Sequence, residues 1–285
     1  MTAISETASR RLLRRTRPLG VVGVACSVVI VIAALAAVFG STLAPHDPDV
    51  SQLSYAYGGP SGDHLLGWDG QGRDLFSRLL VGARTSMIGP LVVVMLSMGV
   101  GTLLAVATAW RGGWFDTAAS AVLDVLFAFP GILLAVLATA TLGTGLTAAA
   151  IALALAYTPY IARVVRSSAL RERGMPYVAA LEVQGLPAAT ICVRHIVPNV
   201  FGLIVAQGTI LFGYAMVDLA AISFLGLGVQ APQADWGVMV STGKTGVLQG
   251  YPAESLSAGL CIVVVVVAFN LLGERLAGRN QGAHR

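Results

Sequence analysis

Long apolar runs separated by short polar islands dominate this chain. The runs extend from Leu19 to Phe39, Ile88 to Trp110, Thr117 to Leu142, Leu146 to Ile161, Phe201 to Phe224 and Leu256 to Leu272. Most approach the ~20 residues that carry a helix across a bilayer. The pattern predicts an all-α integral membrane protein with six transmembrane helices and both termini on one side. The fourth run is short, and its helix is expected to continue past Arg163 and Arg166 with those side chains reaching to the interface. Pro130 should kink the third span and Pro159 the fourth, freeing backbone carbonyls.

Composition agrees. The chain is 56% apolar and 11% charged, with a mean hydropathy of +0.78, whereas about a quarter of residues are charged in soluble domains. The net charge of +4 does not point to nucleic acid, because the arginines stand at the ends of apolar runs without aromatic interleaving. Arg10, Arg11, Arg14, Arg15, Arg17, Arg111, Arg163, Arg166, Arg171, Arg173, Arg194, Arg275, Arg279 and Arg285 fall on one side of the six-span map. Arg73, Arg78, Arg84 and Lys244 fall on the other, with Asp47, Asp49, Asp63, Asp69, Asp74, Asp235 and Glu254. By the positive-inside rule the first side is cytoplasmic. The first run is longer than a typical signal core and Thr42-Leu43-Ala44 is a poor cleavage site, so a retained span is preferred to a cleaved signal. Cys26, Cys192 and Cys261 lie far apart and read as small buried hydrophobes.

Candidate chemistry is sparse. His46-Asp47-Pro48-Asp49 has metal-ligand residue types, but nothing else in the sequence is expected to complete a ligand set, and a Pro-bounded turn is the preferred reading. No metal site is assigned. Asp124 and Asp218 lie inside expected spans, where a charge costs at least roughly 2.5–3.5 kcal/mol, so each should face the bundle interior or a watery cavity. A structural pairing is favoured for Asp124; a pathway and a structural role weigh equally for Asp218. No phosphate-binding GxxxxGK[ST] loop and no nucleophile with a base is present, so no catalytic residue is assigned.

The polar, basic island from Ser167 to Asn199 stands apart. Pro176 sits where a helix can begin and Gly185 where it must end, predicting a two-turn helix from Pro176 to Gln184. Tyr177, Ala180, Leu181 and Gln184 then share one face. Such a helix is unstable alone in water. It packs on the protein's own helix ends or docks on a partner.

Several stretches resemble one family. Gly67-Trp68-Asp69, Gly72-Arg73-Asp74-Leu75-Phe76-Ser77-Arg78 and Gly82-Ala83-Arg84 are similar to the GTDxxGRDxxSRxxxGAR stretch of the C-type permease subunit of peptide and nickel ABC importers. Asp124 with Ala128-Phe129-Pro130 resembles its DxxxAFP. Tyr177-Val178, Gly185 and Arg194-His195-Ile196-Val197-Pro198-Asn199 resemble its cytoplasmic signature. Ser223-Phe224-Leu225-Gly226-Leu227-Gly228-Val229-Gln230 with Pro232 and Trp236-Gly237, and Ala268-Phe269-Asn270-Leu271-Leu272-Gly273, resemble its closing motifs, in the family's order.

The resemblance implies a permease of the type I ABC importer fold in a bacterial cytoplasmic membrane. It further implies a basic cytoplasmic N-terminus over 1–18, a first transmembrane helix over 19–40 and an external loop over 41–84 with the GRD-type segment. A five-helix core over 85–275 follows, with a coupling segment over 167–199, and then a cytoplasmic tail over 276–285. The implied partners are a B-type permease, one or two cytoplasmic ATPase subunits holding ATP and Mg, an extracytoplasmic substrate-binding protein, a peptide substrate and membrane lipid. The implied ATPase-coupling residues are Tyr177, Val178, Ala180, Leu181, Glu182, Gly185, Arg194, His195 and Pro198. Asp124, Pro130 and Asp218 are the candidate intramembrane residues. Ala179 departs from the pattern, since the family has a Glu there. Losing that acid removes a charge-assisted contact of roughly 1.5–3 kcal/mol, for which Glu182 could partly substitute. An ion-coupled secondary transporter, or a family member importing nickel chelates or glutathione, is the alternative.

Overall fold

The computed structural model describes residues 20–283, with side chains for 20–277. The arginines expected at 10–17, together with Arg279 and Arg285, lie outside the described side chains. The elements are α1 (Gly20–Leu43), α2 (Leu75–Arg111), α3 (Gly113–Phe127), α4 (Gly131–Leu142), α5 (Leu146–Arg173), α6 (Pro176–Val183), α7 (Ala188–Phe224), α8 (Trp236–Leu248) and α9 (Ala253–Ala283). Among the described residues the sole extended pairing is an isolated bridge between Trp68 and Asp74. Five helices, α1, α2, α5, α7 and α9, are long and apolar enough to cross a membrane, and α3 with α4 makes a sixth span if the bent pair is counted as one.

That bent pair corrects the expectation of a merely kinked third span. The two helices meet at 79°. Phe129, preceding Pro130, is biased out of helical geometry, and Pro130 becomes the N-cap of α4, its carbonyl accepting from the Leu133 and Leu134 amides. Pro159 acts otherwise: it lies buried inside α5, which runs unbroken to Arg173.

The helix α2 begins at Leu75, well ahead of its apolar run, so residues 75–84 are helical where a loop was expected. Asp74 caps it, its Oδ2 accepting from the Ser77 amide at 2.8 Å, a contact that satisfies one of the amides orphaned at a helix start. The polar first turns of α2 are buried under the external loops, which hid the helix from a hydropathy reading.

The long α2 lies against α1, α5 and α7, and α9 packs on α7, α8 and α1. Met87, Val94, Met98, Ile161, Val165, Leu211, Phe212 and Met216 form the main core. Gly101 permits a close approach of α2 and α5: a Cβ there would lie 2.9 Å from Ile161 Cγ2. Outward residues such as Val21, Val24, Ile32 and Val38 are exposed, as suits a lipid-facing helix. A Cβ on Gly20 would lie 2.9 Å from Arg275 Nη1, so the start of α1 and the far part of α9 share one side.

Candidate coupling surface and its polar supports

The short helix α6 is held to the body by its own chemistry. Val178 is 1% exposed and packs with Val106, Ala109, Ala169, Ile191, Cys192 and Ile196. The Tyr177 hydroxyl donates to Glu172 Oε2 at 2.7 Å and accepts from Asn199 Nδ2 at 2.9 Å, while Asn199 also donates to Glu172 at 3.2 Å. This triangle ties α6 to the end of α5 and to α7. Burial, then the hydrogen bond to the Glu172 carboxylate, push the Tyr177 phenol above its ordinary range, so it remains a donor at neutral pH. Arg173 turns inward, donating from Nη1 to the Ala109 carbonyl at 2.7 Å and lying 5.1 Å from the Trp110 ring centroid. A cation at the last carbonyls of α2 is favourably placed.

The helix stops as its glycine requires. Gly185 has φ +79°; its amide donates to the Glu182 carbonyl at 2.9 Å and the Leu186 amide to the Leu181 carbonyl at 3.2 Å. This is the paired-bond stop that a left-handed residue creates.

The buried stripe differs from the one expected. Val178, with half-buried Tyr177 and Leu181, faces the body; Ala180 and Gln184 are exposed. The inward stripe is set by Val178 inserting among the helix ends and by Leu186 following Leu181, choices that spacing in an eight-residue helix leaves open. Ala179, Ala180, Glu182 and Val183, the last 89% exposed, form the outward face. Arg194 and Pro198 are exposed nearby and His195 is half-buried. A π turn spans Cys192–Ile196, directly before Pro198, whose ring cannot fit an undistorted helix interior.

On the same side, α3 is clamped to α5. Arg166 makes a two-nitrogen contact with the Asp116 carboxylate, and Arg163 pairs with Asp124 while lying 4.5 Å from the Phe127 ring centroid. Asp124 is therefore brought to Arg163, as a pairing role requires. Asp218, half-buried on α7, accepts from the Tyr157 hydroxyl at 2.6 Å. Tyr160 donates to Gln207 Oε1 at 2.9 Å. Gln207, Tyr214 and Asp218 share one face of α7 by spacing, and Tyr214 is 58% exposed. A polar stripe thus marks a bundle face otherwise rich in apolar residues.

Comparison with known proteins places the chain in a family. Residues 97–281 match the family described as binding-protein-dependent transport system inner membrane component. This chain belongs to that family. It is 35% identical to the dipeptide transport system permease protein DppC of Alkalihalophilus pseudofirmus over 96% of this chain and 89% of the relative. It is likewise 35% identical to the glutathione transport system permease protein GsiD of Pectobacterium atrosepticum over 94% of this chain and 87% of the relative. A putative peptide transport system permease protein of Brucella suis is 37% identical over 95% and 88%. The fold is shared with a chain of the MetNI methionine ABC transporter in inward-facing conformations, at a TM-score of 0.52 and 20% identity over 71% of this chain and 93% of that one.

In this inner membrane component the external motifs prove to be two halves of one buried knot. Asp69 accepts from the Gln71 and Arg73 amides and from Arg73 Nε at 2.8, 2.9 and 2.6 Å. Arg78 is fully buried and donates to the Pro48 and Pro232 carbonyls at 3.0 and 3.2 Å. Trp236 Nε1 donates to the Leu79 carbonyl at 2.9 Å, and Asp235 caps α8 while accepting from Ser86 at 2.9 Å. Sequence reasoning counted Arg73 and Arg78 as external charges and missed that they are interior. The signal for Arg73 was its position immediately before the Asp74 cap, and for Arg78 its place in the first turns of the helix that follows, between Ser77 and Leu79. Asp49 donates its amide to Asp47 Oδ1 at 2.9 Å, so the His46-Asp47-Pro48-Asp49 stretch contains a turn. His46 itself is carried elsewhere, to His64 and Asp74. Burial acts to raise the Asp74 carboxyl, but hydrogen bonds from Ser77 and His64, with the His64 charge, outweigh it and hold Asp74 below the ordinary carboxylate range.

Proposed function

We propose that this chain is one permease half of an ATP-driven importer of peptides, paired with a second permease and worked by cytoplasmic ATPases that dock on α6. The observation that carries the reading is the contrast between the two sides of α6: one locked by Val178 and the Tyr177 hydrogen bonds, the other free of intrachain burial at Ala179, Ala180, Glu182 and Val183. A lever must be stiff toward the body and accessible toward its driver. ATP and Mg belong to the ATPases, whose closure moves α6 and rocks the spans between outward-open and inward-open arrangements. The stripe of Tyr157, Tyr160, Gln207, Tyr214 and Asp218 faces the second permease and lines the pathway. An external binding protein delivers the cargo. The similarity to dipeptide and glutathione transport permeases supports a peptide or glutathione-like cargo for this chain.

The test is ATP-dependent uptake in proteoliposomes holding both permeases and the ATPases. Glu182→Lys should weaken ATPase pull-down and uptake together, because Glu182 is the acid on the outward face. An undiminished complex rules out a contact from Glu182. Deleting 175–189 should abolish uptake; retained uptake removes α6 from the mechanism. Uptake by this chain alone under an ion gradient overturns the importer reading.

A further inference from the structure

The first external loop brings two histidines to one carboxylate. His64 Nδ1 lies 2.8 Å from Asp74 Oδ1 and His46 Nδ1 lies 3.9 Å from Asp74 Oδ2. The potential ligand atoms of all three residues fall within 4.8 Å of one another. The His46 Nδ1 atom is buried without a hydrogen-bond partner among the described residues, a costly condition for a polar atom unless something else satisfies it. The two imidazoles stack at 4.2 Å between centroids, which holds the rings side by side next to the carboxylate.

We infer that His46, His64 and Asp74 form a binding site for a divalent first-row metal ion of the Zn2+ class on the external face. Two imidazole nitrogens and a carboxylate oxygen match Zn2+ preferences, whereas Ca2+ and Mg2+ call for oxygen ligands. Tetrahedral coordination sets ligand atoms roughly 3.3–3.5 Å apart. The two distances above run to different oxygens of Asp74, so one of those oxygens serves as the ligand, and side-chain motion draws the three atoms, within 4.8 Å of one another, to that spacing. His64 then moves its proton to Nε2 and coordinates through Nδ1.

The supporting shell is in place. Ser77 accepts from the His46 amide at 3.1 Å and donates its own amide to Asp74. His64 is held by hydrogen bonds between its backbone and Ser61 and Gly67. Groups that orient ligands in this way strengthen a metal site. The fourth position opens into a cleft of ≈ 570 Å³ lined by Val50, Gln52, Tyr55 and Trp68, among others, with room for a water ligand. The ion would staple the segment after α1, the mid-loop and the start of α2 at one point.

The test uses tag-free, full-length protein in lipid nanodiscs, stripped with chelator and titrated with Zn2+ alone. One Zn2+ per chain should bind and raise the unfolding temperature, with chelator reversing both. His46→Ala should weaken binding at least about tenfold and remove the thermal shift. In chelator the variant loses only the stacking of His46 on His64, while the His64 and Ser77 contacts of Asp74 persist, so the Zn2+-dependent shift is read against each protein's own metal-free unfolding. His64→Gln should also weaken binding, and Asp63→Asn, at an exposed loop position, should not. Absence of stoichiometric Zn2+ binding by the parent protein, or unchanged binding by both histidine variants, overturns the site.

Discussion

Truncating Val178 to alanine tests whether α6 owes its placement to one buried side chain. The substitution removes two methyl groups from a side chain that is 1% exposed and set among Val106, Ala109, Ala169 and Ile191. At ~0.8 kcal/mol per buried carbon the transfer loss is about 1.6 kcal/mol, and residual cavity raises it to about 2 kcal/mol. The helix is too short to hold itself, so the loss falls on local docking rather than on the whole bundle. Open states of the segment should become about 30-fold more populated. Hydrogen exchange of the full-length protein in nanodiscs reads this directly: amides of residues 180–186 should exchange faster by about that factor, with those in α2 and α5 unchanged. Val183→Ala is the control, since Val183 is 89% exposed and its loss should leave exchange alone while weakening ATPase capture. Equal protection in the Val178→Ala and parent proteins would refute the claim that this contact holds α6.

Other outcomes follow from the same structure. Gly185→Ala places a Cβ at φ +79°, costing about 1–2 kcal/mol, and should speed exchange at the end of α6. Asp69→Asn breaks a fully buried ion pair with Arg73 and should cost about 3–5 kcal/mol, read as a lower unfolding temperature, with Asp63→Asn unchanged. For Asp235, burial outweighs its hydrogen bonds and holds the carboxyl above its ordinary value. Ionisation therefore costs stability as pH rises from the unfolded value through the folded one. Asp235→Asn, which retains a capping oxygen, should gain stability relative to the parent as pH rises through that window, while Asp235→Ala loses the cap to Gly237 and Val238 and is destabilised by about 1 kcal/mol. Denaturation of the two variants from below the ordinary aspartate value upward in pH checks the sign.

Hydropathy, charge and the Pro176 and Gly185 punctuation by themselves determined the all-helical membrane architecture, its orientation and a short helix at 176–184. These features are local: apolar length, arginine placement and the backbone limits of proline and glycine are properties of neighbours in sequence. The face α6 turns inward, the burial of Arg73 and Arg78, and the meeting of His46 with His64 and Asp74 were decided by tertiary structure alone. Each depends on side chains brought together from separate parts of the chain, where burial and hydrogen bonding override what residue type alone suggests. A hydropathy reading assigns Arg78 to water; the carbonyls of Pro48 and Pro232 make an interior position tolerable, and they come from loops 30 and 154 residues away.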